Sequence, residues 1–228
     1  MKQMRVLDID MDFFLTGPCE LAPLGKRPPE GEAQPWTEAE VRAFLEDNCG
    51  LSKENPIPGA VFETHDMALA YWQENCTFPM HVTHIDTHSD LGIGKPGPGF
   101  VLESVITRKP GNRGTIGEYY EKKQLDEANY LLFAVAFRWI SSLDNVRNPN
   151  SRPDIPSFCR ENSLKLESSA GRILPMLNHN EPEIPFNVYN DWHAFKSAGY
   201  DHATMAISPR YSPASADFII DIFKEYIL

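Results

Sequence analysis

Seven consecutive residues, His84-Ile85-Asp86-Thr87-His88-Ser89-Asp90, put four ionisable side chains at every second position. An apolar stretch precedes them and a glycine- and proline-rich stretch follows, so they sit where a buried strand would run out into a loop. Ligands of open parallel α/β sheets bind beyond such carboxyl ends. Asp86, His88 and Asp90 offer two carboxylates and one imidazole there, a donor set that suits Mn²⁺, Zn²⁺ or Fe²⁺. The alternative, a polar turn with capping carboxylates, does not account for the alternation of all four groups.

A second cluster, Asp8-Ile9-Asp10-Met11-Asp12, ends another apolar stretch. Period-two alternation turns all three carboxylates to one side, where they repel unless cations or donors neutralise them. His65 follows "VFET" at a strand-to-helix junction; alone it reads as a helix-start or packing residue. Taken together, His65, Asp86, His88, Asp90 and two of the N-terminal aspartates supply six ligands, enough for two ions with shared carboxylates. Such a pair activates a water as nucleophile near neutral pH.

The surrounding elements must bring these stretches together. "MRVLDID", "GAVFETHD", "HVTHID", "SLKLES" and "ATMAIS" read as strands. Thr37 and Glu40 have capping-box spacing and open a helix ending near Cys49-Gly50. A helix runs from about Asp66 to Asn75 with Thr64 as its cap. Another spans about Asp126 to Phe137 on a stripe of Tyr130, Leu131, Ala134 and Phe137, and the last covers 213–227. The proline-rich stretch 16–36, the long loop 91–114 and the polar stretch 142–160 read as irregular. Alternating strands and helices predict a single α/β domain over 1–228, a three-layer α/β/α sandwich around a mostly parallel sheet.

The chain has 228 residues, 42% of them hydrophobic, enough for one core. No window approaches the ~20 apolar residues of a membrane span, and the N-terminus lacks a signal-peptide pattern. The expectation is a soluble, cytoplasmic protein, with the homo-oligomeric state left open. The net charge of −11 and the lack of a basic stripe argue against nucleic acid; the acidic surface serves solubility in the first place and would also favour cationic substrates by steering. The four cysteines form no CxxC pair and read as free thiols.

With these residues in view, the sequence resembles the arginase–deacetylase superfamily. "DTHSD", "DIDMD" and His65 are similar to the ureohydrolase metal motifs. "VLDIDMDFF", "HIDTHSDL", "DEANY" and "ISPRYSP" more narrowly resemble its peptide-arginase branch. The matches span residues 6–213. The resemblance implies an arginase-like fold, two Mn²⁺ ions and hydrolysis of a linear amidine C–N bond. The implied substrate is an arginine-containing precursor peptide, converted to ornithine and urea. Small-molecule ureohydrolase activity and a non-catalytic metal-binding scaffold are the alternatives; a deacetylase fits less well, since that branch uses one catalytic ion and fewer acidic ligands.

In two respects the chain departs from the family. The Asp-x-Asp strand comes first rather than after the histidine motif. The glutamate that holds the guanidinium is also absent, because the late strand ends in Ser208-Pro209-Arg210, and no histidine lies in 91–110 to shuttle protons. Glu103, Asp126 and Glu127 are candidates for the guanidinium contact and His202 for the shuttle, while Asp90 doubles as ligand and acceptor of the water's proton. Asp10 and Asp12 are the preferred ligand pair, with Asp8 and His84 as partners that orient the ligands; Asp8 with Asp10 is the other register.

Overall fold

Six short strands form the parallel part of an eight-stranded sheet in this computed structural model, which describes residues 2–92 and 96–228. The strands are β1 (Arg5–Asp10), β2 (Gly59–Phe62), β3 (Met80–Asp86), β4 (Ile140–Arg147), β5 (Cys159–Arg160), β6 (Ser163–Lys165), β7 (Glu183–Tyr189) and β8 (His202–Ala206). Their spatial order is β2-β8-β1-β3-β4-β7-β6-β5, with only the β7–β6 and β6–β5 pairings antiparallel. Although first in the chain, β1 is central, between β8 and β3.

Alternation along the strands divides the apolar residues into two cores. Val6, Val82 and Leu143 face α2 (Ala68–Asn75) and α5 (Tyr130–Ala136). Leu7, Ile9, Ile85, Val146 and Met205 face the other way, toward a short helix at Glu38–Ala43 and another at Phe218–Lys224, named α1 and α7. The remaining helices are α3 (Pro98–Phe100), α4 (Ile116–Glu121) and α6 (Ser169–Ile173). Helices thus cover both faces of a mostly parallel sheet.

Local chemistry accounts for several boundaries. Thr37 and Glu40 form the reciprocal capping box, and the chain then continues through a wider turn, Phe44–Asn48, to Gly50 at φ +63°. Thr64 makes no capping hydrogen bond; the first turn, His65–Met67, points its histidine into the molecule instead. The stretch 142–160 is not wholly irregular, because β4 occupies its start. Asp144, Asn145 and Arg147 are buried there, so the strand lacks the apolar pattern that hydropathy detects. The loop 91–114 is also partly helical, over 98–105, and Ile93, Gly94 and Lys95 lie outside the described residues. No helix among the described residues is long and apolar enough to cross a membrane. The four cysteines are unpaired.

Arg113, 1% exposed, staples α5 in place. Its guanidinium donates to the carbonyls of Arg108 and Ala136 and forms an ion pair with buried Glu181. Removing Arg113 leaves buried Glu181 with only the partly exposed Arg138 at 3.2 Å beside it, and a weakened buried pair is costly. Arg113→Ala is therefore expected to lower the stability by about 3 kcal/mol in urea unfolding; a loss below about 1 kcal/mol would show the pair to be dispensable.

Candidate metal centre

Adjacent parallel strands bring the two aspartate-rich stretches together. Asp8 lies opposite His84 in the β1–β3 register, one position before Ile9 opposite Ile85. Asp8, Asp10, His84 and Asp86 therefore project from the same face, at the carboxyl end of the sheet. Beyond β1, a single turn over Met11–Phe14 swings Asp12 inward, its N–H donating to Asp10 Oδ1 at 3.1 Å. Beyond β3, the N–H of His88 donates to Asp86 Oδ1 at 2.8 Å, and Asp90 adopts φ 51°. This left-handed backbone is one that aspartate tolerates better than most residues.

His65 enters from the β2–α2 junction and is 1% exposed. Its Nδ1 lies 3.3 Å from Asp10 Oδ2, 3.2 Å from Asp86 Oδ2 and 3.2 Å from Asp90 Oδ2. Neither ring nitrogen has a hydrogen-bond partner among the described residues, nor does His84 Nε2. These separations exceed charge-assisted hydrogen bonds of about 2.7–2.9 Å. They match the edges of about 3.0–3.4 Å between donors sharing one ion at about 2.1 Å. His65, His84, Asp86 and Asp90 form one group of converging donor atoms that could hold a divalent ion. Asp12, Asp86 and His88 form a second, with His88 Nδ1 3.2 Å from Asp12 Oδ2 and 3.5 Å from Asp86 Oδ1. Asp86 belongs to both groups, one oxygen facing each.

The structure turns Asp10 and Asp12 toward the donor groups and sets Asp8 behind them. Asp8 accepts from Tyr130 Oη at 2.5 Å and Thr204 Oγ1 at 2.7 Å, and lies 3.2 Å from His65 Nε2. Asp8 thus flanks the far nitrogen of His65, the place from which a carboxylate can orient a metal-binding imidazole. Tyr130 also reaches His84 Nδ1 at 3.2 Å, and its ring centroid lies 4.8 Å from that of His65. His84, read from sequence as an orienting residue, is placed among the donor atoms as well, its Nε2 3.3 Å from Asp86 Oδ2. Ser208 Oγ donates to Asp10 Oδ2.

Five carboxylates face three imidazoles here, nearly all of them buried, and the strain is electrostatic. Burial, then the charges of Asp10 and Asp86, raise the Asp12 carboxyl to about 7. Burial and Asp86 raise Asp90 to about 8. Burial also pushes Asp8 upward, but His65 and His84 outweigh it and hold that carboxyl below its ordinary range. Burial opposes charge on His84, yet Asp8 and Asp86 raise it to about 9. A divalent cation relieves the carboxylate repulsion directly.

A cleft of about 340 Å³ opens over the cluster, lined by Asp10, His65, His88, Asp90, Glu127 and Tyr211 among others. Burial, then Asp10 and Asp66, raise the Glu127 carboxyl to about 7. The other candidates for substrate contact lie elsewhere. Glu103 caps α6 through Ser168, Ser169 and Ala170. Asp126 accepts from the N–H of Ala128 in the turn before α5. His202 is corrected as a proton shuttle: it opens β8 and bonds Tyr71 at 2.9 Å. It lies four residues before Ala206, about 13 Å along the strand from the end that carries the cluster. Tyr130, Thr204, Ser208 and Tyr211 were not singled out as site residues on sequence. Tyr130 lies in a stripe that reads as packing, although "DEANY" carries it and "ISPRYSP" carries Ser208 and Tyr211.

Two measurements check the site. From pH 6.5 to 9 the folded protein loses in turn the protons held by the raised acids Asp12 and Asp90 and the raised His84, which the unfolded chain binds less tightly. Stability of the metal-free protein should fall as pH rises through this window. Mn²⁺, which needs deprotonated donors, should restore more at higher pH; a metal-free melting temperature that is flat or rises from pH 6.5 to 9 would contradict the cluster's electrostatics. Tyr130→Phe should weaken Mn²⁺ binding in calorimetry by roughly ten- to a hundredfold; unchanged affinity would remove Tyr130 from the site's support. Compared with protein-family models, with curated proteins and with solved structures, the chain matches none.

Proposed function

We propose that this chain is an arginase-type hydrolase with two Mn²⁺ ions that removes urea from arginine side chains in a peptide, leaving ornithine. The observation that carries the reading is the sharing of Asp86 between two groups of buried donor atoms beneath an open cleft. Asp10 also lines that cleft, and the motif resemblance over 6–213 supports the arginase assignment.

His65, Asp86, Asp90 and Asp10 would hold one ion, and His88, Asp12, Asp86 and Asp10 the other, with His84 as a further donor to the first. When bound, the ions supply Lewis acidity and an activated water near neutral pH. Asp90 is the carboxylate placed to take up the proton that water releases. Glu127 faces the cleft and is the carboxylate in position to meet a guanidinium, whose charge would favour its ionised form. The Tyr211 ring, 5.0 Å from that of His88, bounds one side of the cleft. A mouth at which the His88 side chain is 38% exposed supports a peptide rather than an enclosed small molecule.

The test is urea release with a mass loss of about 42 Da per arginine from an Mn²⁺-treated peptide, run beside free arginine and with chelator. Urea from free arginine alone would move the protein to small-molecule ureohydrolases. His88→Ala should lower turnover by at least about a thousandfold while leaving the melting temperature nearly unchanged; full turnover in that variant would end the metal assignment. Glu127→Gln should raise KM more than it lowers kcat, as expected for a residue that binds the guanidinium.

A further inference from the structure

Next to the metal cleft lies a second cleft of about 440 Å³, walled by Trp36, Phe44, Trp192 and His193. The Trp36 and Trp192 ring centroids are 4.9 Å apart, Phe44 meets Trp192 edge-on at 5.5 Å, and His193 stacks on Trp192 at 3.7 Å. Phe13, Phe14 and Phe44 beneath are buried, whereas Trp36 and Trp192 remain partly open to solvent. This aromatic cluster hangs directly on the metal motif, since Phe13 and Phe14 follow Asp12 in the same turn.

Two segments of chain line both clefts. Leu15 and Thr16 border the aromatic cleft, and Pro18 and Cys19 the metal cleft. Pro149 and Asn150 border the former, and Arg152 and Asp154 the latter. The segments are tied to each other. Asn148 Nδ2 donates to the carbonyls of Phe13 and Leu15 at 2.9 and 2.7 Å, and Asn150 Nδ2 to that of Thr16 at 2.8 Å. Such cross-bonding preforms the floor between the clefts, which lowers the ordering cost of a bound chain. On each segment the two linings are two residues apart, so at most about 7 Å of chain separates them.

We propose that the aromatic cleft is a subsite for the peptide substrate, taking an aromatic side chain two to four residues from the arginine that enters the metal cleft. The proposal rests on the peptide-hydrolase reading above and adds its sequence preference. Aromatic rings in the cleft would meet a tilted or edge-on partner, the arrangement aromatic pairs favour.

The test uses the full chain with Mn²⁺ and two capped peptides. One has a central arginine flanked by glycines, with phenylalanine three residues away on each side; the other has glycine in place of both phenylalanines. The phenylalanine peptide should have a KM about tenfold lower, corresponding to about 1.4 kcal/mol, and Trp192→Ala should bring the KM ratio close to one. His193→Ala, at an exposed side chain stacked on Trp192, should shrink the ratio in the same direction. Equal KM values in the wild type, or a ratio unchanged in both variants, would overturn the subsite. Intrinsic tryptophan fluorescence separates this result from failure of the hydrolase reading. If neither peptide releases urea, tighter binding of the phenylalanine peptide, lost in Trp192→Ala, retains the subsite while the reaction is abandoned. Equal binding of both peptides, or self-association that Trp192→Ala abolishes, would overturn the subsite as well.

Discussion

Five carboxylates, Asp8, Asp10, Asp12, Asp86 and Asp90, share one buried corner at the carboxyl ends of β1 and β3, and much of the structure follows from how that charge is balanced. At such separations in a low-dielectric interior, like charges cost several kcal/mol each unless protonated or paired. The cluster answers in two ways. Asp8 is satisfied within the protein by Tyr130 and Thr204. Asp12 and Asp90 hold their protons well above the ordinary carboxylate range, while the near nitrogen of His65 stays without a hydrogen bond among the described residues. An arrangement that is satisfied at its back and unsatisfied at its front is suited to a cation.

The fold supplies the rigidity this requires. β1 and β3 are interior strands, each paired on both sides, so the registers that set Asp8 against His84 cannot slip without unpairing the sheet centre. A one-residue slip would send the carboxylates into the core that holds Leu7, Ile9 and Ile85. From one side α5 delivers Tyr130, and from the other the aromatic cluster under Trp36 braces the turn that carries Asp12. Buried Asn148 ties the exits of β1 and β4 together, so the rim of the cleft is held by the same framework as its floor.

Much of this was legible in the residues. Alternation placed the aspartates and histidines on one face, and spacing at the ends of apolar runs located them at strand exits. The Thr37–Glu40 box marked a helix start that the backbone adopts. What failed did so for a physical reason. β4 was invisible because its site-facing residues are polar and buried, which inverts the usual hydropathy signal. β7 carries Pro185 and buries only Ile184 and Phe186, too short an apolar pattern to mark a strand. Thr64 has a cap residue's type and backbone but not its hydrogen bond. His202 had the right chemistry at the wrong end of its strand.

By itself, the sequence determined the donor types, their local spacing and the alternating pattern that puts them on one face, because these depend only on neighbours a few residues apart. Tertiary structure alone decided which groups converge. It set His65 against carboxylates from β1, β3 and the loop beyond β3, and gave Asp8 to Tyr130 from a helix more than a hundred residues away. It divided the oxygens of Asp86 between two donor groups and chose Glu127 over Glu103 and His202 for the cleft wall. Those choices rest on strand order and helix packing, which are properties of the whole chain and leave no trace in the spacing of any single motif.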